Sequence, residues 1–168
     1  MGYVHDTAMS QYIPPTLFHC VTGTWTDEPG NVAGTIVKQK AAAAETTIVN
    51  IPIIIPSNSV ALKGGYLKSI EVDYEILTAA ATSITAALSK ITRGADGAVA
   101  VVAAPAVTQD LTAATDAADV DQHKLTVTVT TPFWIDNDEE VLLKLTCVCA
   151  LTTVLEFLGA VTNYTLRE

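Results

Sequence analysis

Between Lys124 and Cys149 the chain alternates apolar and polar residues with a period of two. Leu125, Val127 and Val129 fall on one side of a run whose other side is Thr126, Thr128 and Thr130. Val141, Leu143, Leu145, Cys147 and Cys149 repeat the pattern after the acidic stretch Asp136–Glu140. A period of two is what a strand with one buried face requires. Two such runs joined by a turn rich in Asp and Asn predict a hairpin.

The same reading carries along the chain. His19–Trp25 predicts a strand that ends in a turn, Asp27-Glu-Pro-Gly30. Gly34–Lys40 predicts a second strand, and the β-branched run Thr46–Ile55 a third. Pro52 has no N–H to give to a ladder, so the third strand should be an edge or carry a bulge there. After Gly64-Gly65, residues Ile70, Val72, Tyr74 and Ile76 share a face opposite Glu71, Asp73 and Glu75. Three like charges on one face read as a solvated surface that discourages edge-to-edge pairing. Thr82–Thr92 fits a helix period through Ile84, Leu88 and Ile91, and a strand period through Ile84, Ala86 and Leu88; its Thr and Ser content favours the strand. Gly94–Gly97 reads as a turn and 98–102 as a short strand, whereas 107–122 is irregular, with a short helix or loop over 112–119. The last predicted strand is Thr153–Leu166, in which Gly159 marks a bulge or a close backbone approach.

Eight or nine short strands at roughly 10–14-residue spacing predict an all-β fold: one antiparallel β-sandwich, jelly-roll-like, over residues 19–168. Residues 1–18 carry apolar anchors without a period of 2 or 3.6: Tyr3, Met9, Tyr12, Ile13, Leu17 and Phe18. Pro14-Pro15 forces extended backbone. This segment reads as an N-terminal arm that packs on its own domain or on a neighbouring subunit. The absence of a strand pattern favours the neighbour.

Composition narrows the classes. At 168 residues the chain suits one domain and needs neither a disulfide nor a metal to build a core. Hydrophobic residues make up 49%, yet no run of about 18 apolar residues occurs, so no membrane span is expected. That content implies either apolar surface covered by other subunits or a large alanine-rich core. A net charge of −9 with scattered Lys and Arg argues against direct nucleic-acid binding. Cys20, Cys147 and Cys149 are an odd set in which the last two share a strand face, poorly placed to bridge. They read as reduced thiols acting as small hydrophobes. Met1-Gly-Tyr-Val-His-Asp6 lacks a basic and an apolar signal region, so folding in a cytoplasm is expected.

Catalytic motifs are missing. There is no Gly-x-Ser-x-Gly, phosphate loop or dinucleotide fingerprint, and His5, His19 and His123 are far apart in sequence. Asp136–Glu140 resembles part of a calcium loop only in composition. No catalytic, cofactor-binding or metal-ligating residue is assigned, and no cofactor is expected. Trp25, at a strand end, is the aromatic best placed for a sugar, while Trp134 within Pro132-Phe-Trp-Ile135 reads as core.

The Pro14-Pro15 arm, the Ala/Thr/Val-rich strands and the final strand ending Asn163-Tyr-Thr-Leu-Arg-Glu168 resemble the small β-sandwich structural proteins of tailed-phage virions, such as capsid decoration and head-accessory proteins. The resemblance covers most of the chain. It implies symmetric attachment to a capsid or tail lattice, often as trimers, and no chemistry. The reading is therefore a non-enzymatic virion protein that binds a protein lattice and its own copies through the arm: Tyr3, Met9, Tyr12, Ile13, Pro14, Pro15, Leu17 and Phe18. The alternative is a carbohydrate-binding β-sandwich module.

Overall fold

A computed structural model describes residues 6–30, 33–56, 64–111 and 118–167. Among these residues twelve strands form two antiparallel sheets. The first sheet contains β1 (Asp6–Ile13), β3 (Trp25–Pro29), β4 (Ile36–Lys40), β6 (Gly65–Ile76), β9 (Val107–Gln109), β10 (Gln122–Trp134) and β12 (Leu155–Arg167). The second contains β2 (His19–Cys20), β5 (Glu45–Pro52), β7 (Ser83–Arg93), β8 (Val99–Ala103) and β11 (Glu139–Cys149). Central order in the first sheet is β4-β12-β6-β10, and in the second β5-β11-β7-β8. Among the described residues the chain crosses between the sheets at eight of its eleven strand connections and builds a two-sheet antiparallel β-sandwich, the fold class read from the sequence.

The alternating residues make the core. Ile70, Val72, Tyr74 and Ile76 of β6, Leu125, Val127 and Val129 of β10, and Val141–Cys149 of β11 at odd positions are buried in one cluster. Thr82–Thr92 is a strand, β7, with Ile84 and Leu88 inward. Gly94–Gly97 closes a true hairpin with β8.

The expected hairpin at 124–149 does not form. β10 pairs with β6 and β9 in one sheet, and β11 pairs with β5 and β7 in the other. The acidic turn carries the chain from one sheet across to the other. Alternation reports which face of a strand is buried, not which strand lies at its edge. Pro132 lies in the irregular part of the β10 pairing, between Thr128 and Phe133, and Ile135 is buried at the crossing.

Other boundaries also move. Asp27-Glu-Pro29 belongs to β3, not to a turn; among the described residues β3 pairs only with β4, and an edge strand tolerates Pro29. The expected strand His19–Trp25 is broken, with only His19–Cys20 paired to β5. Pro52 ends β5 opposite Leu142. The Glu71/Asp73/Glu75 face lies on a central strand, between β10 and β12, so it guards no edge. Its charge is met across the strands: Lys124 Nζ bonds Glu71 at 3.1 Å, Gln122 donates to Glu75, and Asn163 donates to Glu71 at 2.9 Å. The segment 112–117, expected as a helix or loop, lies outside the described residues.

Candidate functional site

Asp6–Ile13, part of the expected arm, runs antiparallel to β12 from Asp6 opposite Arg167 to Ile13 opposite Ala160. β12 pairs with β6 along its other edge, so β1 and β4 lie end to end on this one. Seven of the eight β1 residues are exposed and only Ile13 is buried. Backbone pairing therefore holds β1, with few side-chain bonds. Ser10 Oγ donates to Asn163 Oδ1 at 2.7 Å, and Tyr12 Oη donates to the Leu158 carbonyl at 3.1 Å.

Tyr12 also explains Gly159. The β12–β6 register shifts there and Gly159 has φ +148°, so the expected bulge is present. A Cβ at this position would lie 2.6 Å from Tyr12 Oη and 2.9 Å from its Cζ. The ring thus sits where only glycine leaves room.

The eight expected anchors divide. Tyr3 lies outside the described residues. Met9, Tyr12 and Leu17 are exposed, and Pro14 is half-buried. Ile13 and Pro15 are buried, the latter in a short 3₁₀ turn, Pro15–Leu17. Phe18 is buried with its ring 5.6 Å from that of Phe157. The segment is thus rooted from Ile13 onward and open before it. A groove of about 600 Å³ lies beside the root, with Tyr12, Pro14, Pro15, Ile36 and Leu158 in its walls and Glu75 and Gln122 at a polar end. Further apolar surface lies on the edge strand β8, where Val99 and Val102 are 57% and 64% exposed.

His123 stacks on Tyr74 at 5.0 Å and its Nε2 lies 3.1 Å from Asp119 Oδ1. His19 is exposed on β2, and His5 lies outside the described residues. All three thiols are free. Burial pushes the Cys147 and Cys149 thiols up, and the Cys20 thiol up to about 11. Among the described residues no three His, Cys, Asp or Glu side chains gather as a metal site.

The acidic turn is spent on β7. Glu139 bonds Lys90 at 2.7 Å, accepts from the Asp136 N–H at 2.8 Å and lies 3.4 Å from Thr92 Oγ1; Glu140 pairs with Arg93 at 2.9 Å. Burial alone would raise the Glu139 carboxyl, but the Lys90, Asp136 and Thr92 bonds outweigh it and hold it below its ordinary value of 4.5. A depressed carboxyl stabilises the fold above its unfolded value and loses that contribution as pH falls through the folded one. Glu139→Gln should therefore cost roughly 1.5–3 kcal/mol at pH 7, and progressively less as the pH falls below 4.5 and through the lowered folded value, as read from denaturant melts of both proteins across that range.

The aromatic residues exchange roles. Trp25 stacks on Phe157 at 5.6 Å and donates its ring N–H to the Thr22 carbonyl, so it is packed at the core margin. Trp134 is on the outer face, tilted against Tyr66 at 4.8 Å, because Phe133 takes the inward position next to it. Asp6, Lys68 and Thr165 complete a depression of about 260 Å³ around that pair. Strict alternation through 133–134 was the available signal; the apolar company of Trp134 masked it.

No protein-family model matches the chain, and no curated protein matches it in sequence.

Proposed function

We propose that this protein is a non-enzymatic structural component of a virus particle, of the decoration or accessory kind, which binds a protein lattice and its own copies through its N-terminal strand and apolar sheet surface. The observation that carries the reading is β1: eight paired residues of which seven remain exposed. A segment that buries so little in its own domain keeps its side chains available to another. The groove beside Tyr12 and the apolar edge of β8 extend that surface. Jelly rolls serve capsid and lectin domains alike, so the fold is compatible with the reading without deciding it. On this reading the protein works as a homo-oligomer, with a trimer favoured, and resides in the virion.

The test is a truncation. Removing residues 1–15 would take Ile13 and Pro15 out of the core, so the informative cut is after Tyr12. The protein lacking residues 1–12 should keep its β-sheet circular dichroism and cooperative melt, and should lose assembly by light scattering and native mass measurement. A truncated protein that assembles as well as the full chain removes the proposal.

One observation favours the second reading, a carbohydrate-binding module. The outward Tyr66–Trp134 pair, with Asp6 and Lys68 beside it, offers ring faces and polar groups to a sugar. Glycan-array binding that Trp134→Ala abolishes would favour it over the first.

A further inference from the structure

Resting on the assembly reading above, we propose that β1 is exchanged between copies: Asp6–Ile13 of one chain pairs with β12 of a second copy, in the register seen within one chain. Three features point to this. First, among the described residues β1 has one strand partner, β12, and seven of its eight residues are exposed. Leaving it forfeits little besides main-chain bonds, and these are regained identically in the neighbour. Second, the acceptor is built for this strand. Gly159 leaves room for the Tyr12 ring, the Leu158 carbonyl takes its hydroxyl, and Asn163 accepts from Ser10. Each of these lies on β12, so the socket is complete without the rest of the donor chain. Third, a joint follows at once. Pro14 is extended, with φ −70° and ψ 152°, and the 3₁₀ turn Pro15–Leu17 and buried Phe18 anchor the chain beyond it. Pro-Pro resists folding back, so redirection at Pro14 moves β1 as a unit while Pro15 and Phe18 stay seated.

Ile13 is the one buried residue that travels, and it re-enters the same contact beside Ala160 of the second copy. The gain is an interface made of backbone pairing, which tolerates the exposed, unpatterned side chains of β1. Removal of β1 from a chain would leave the β12 edge over 160–167 open, so each copy is both donor and acceptor.

Ser10 and Asn163 stand directly opposite one another, which suits a disulfide. Ser10→Cys and Asn163→Cys are placed in separate full-length chains, co-expressed and oxidised. Exchange predicts a reduction-sensitive species of twice the chain mass that contains one chain of each kind and is missing when either variant is made alone. The double variant S10C/N163C should likewise give covalent dimers or larger rings. Ala8→Cys with Thr165→Cys, the next outward pair, repeats the test should the first pair disturb folding. If the double variants close within single chains, at unchanged mass, and the mixed singles do not cross-link, exchange is overturned. The truncation result is separate: loss of assembly without residues 1–12, combined with intrachain closure, would keep the arm as a docking element and discard only its exchange.

Discussion

Phe157→Ala is expected to lower stability by about 3–5 kcal/mol, the range for deleting a buried aromatic ring. Phe157 is fully buried on β12, with the rings of Phe18 and Trp25 each 5.6 Å away and Tyr74 at 6.3 Å. Those partners come from the root of the arm, from β3 and from β6, so one side chain joins three otherwise separate segments. A loss of this size is a large part of the roughly 5–15 kcal/mol that holds a typical domain. At about 2–4 °C per kcal/mol for a chain of this length, the melting midpoint should fall by roughly 6–20 °C. Val102→Ala, on the exposed edge of β8, is the control and should stay within about 0.5 kcal/mol. On the assembly reading proposed above, the variant should also weaken assembly more than its stability loss alone predicts, because Phe18 packs against this ring at the root of the arm. A Phe157→Ala protein that melts with the parent would show that the aromatic cluster does not tie these segments together.

The faces of β6, β10 and β11 could be read residue by residue, because a half-buried strand must alternate. Their partners could not. Alternation at 125–129 and 141–149 is the same whether the two runs pair side by side or belong to different sheets, and here they belong to different sheets. β1 was hidden for the opposite reason. Seven exposed residues leave no buried face to alternate with, so its strand conformation comes from the β12 edge and not from its own pattern. Tyr12 and Gly159 were each marked, one as an anchor and the other as a bulge. Their meeting joins opposite ends of the chain, and no periodicity links them. Lys38 and Lys40 are two of the scattered basic residues of the sequence. Lys38 bonds Asp27 at 2.5 Å, and Lys40 is buried completely, which single-sequence reasoning had no means to foresee.

That buried lysine supports the second large expectation. Lys40 Nζ donates to the Ala41 and Ala43 carbonyls at 2.7 and 3.0 Å and lies 3.3 Å from Glu45 Oε1. Glu45 Oε1 forms no aligned hydrogen bond, so the contact with Glu45 is one of charge. At an effective dielectric near 20, two unit charges at this distance attract by about 5 kcal/mol, set against several kcal/mol of desolvation for the ammonium. The two partners are not equivalent. The Lys40 side chain is fully buried, whereas that of Glu45 is 29% exposed. Glu45→Ala leaves a cation in the interior with two carbonyls for company and should cost about 3 kcal/mol, the lower end for a broken buried pair because water reaches the vacated side. Lys40→Met removes the buried charge, keeps an apolar stem, and leaves a Glu45 side chain that is partly exposed and can turn its buried Oε1 toward solvent; it should cost only about 1–2 kcal/mol. The double variant should then be no worse than Lys40→Met alone, a clear departure from additivity in a denaturant-melt cycle. Should Lys40→Met prove the more damaging of the two singles, the ammonium is valued for its carbonyl bonds and not for its charge partner. The result bears on assembly as well. Lys40 ends β4 in one sheet and Glu45 begins β5 in the other, so the pair clamps the two sheets along the edge β4 shares with β1. Loosening that clamp should open the β12 edge where the arm docks, and, if the proposed assembly role holds, Glu45→Ala should weaken self-assembly more than Lys40→Met does.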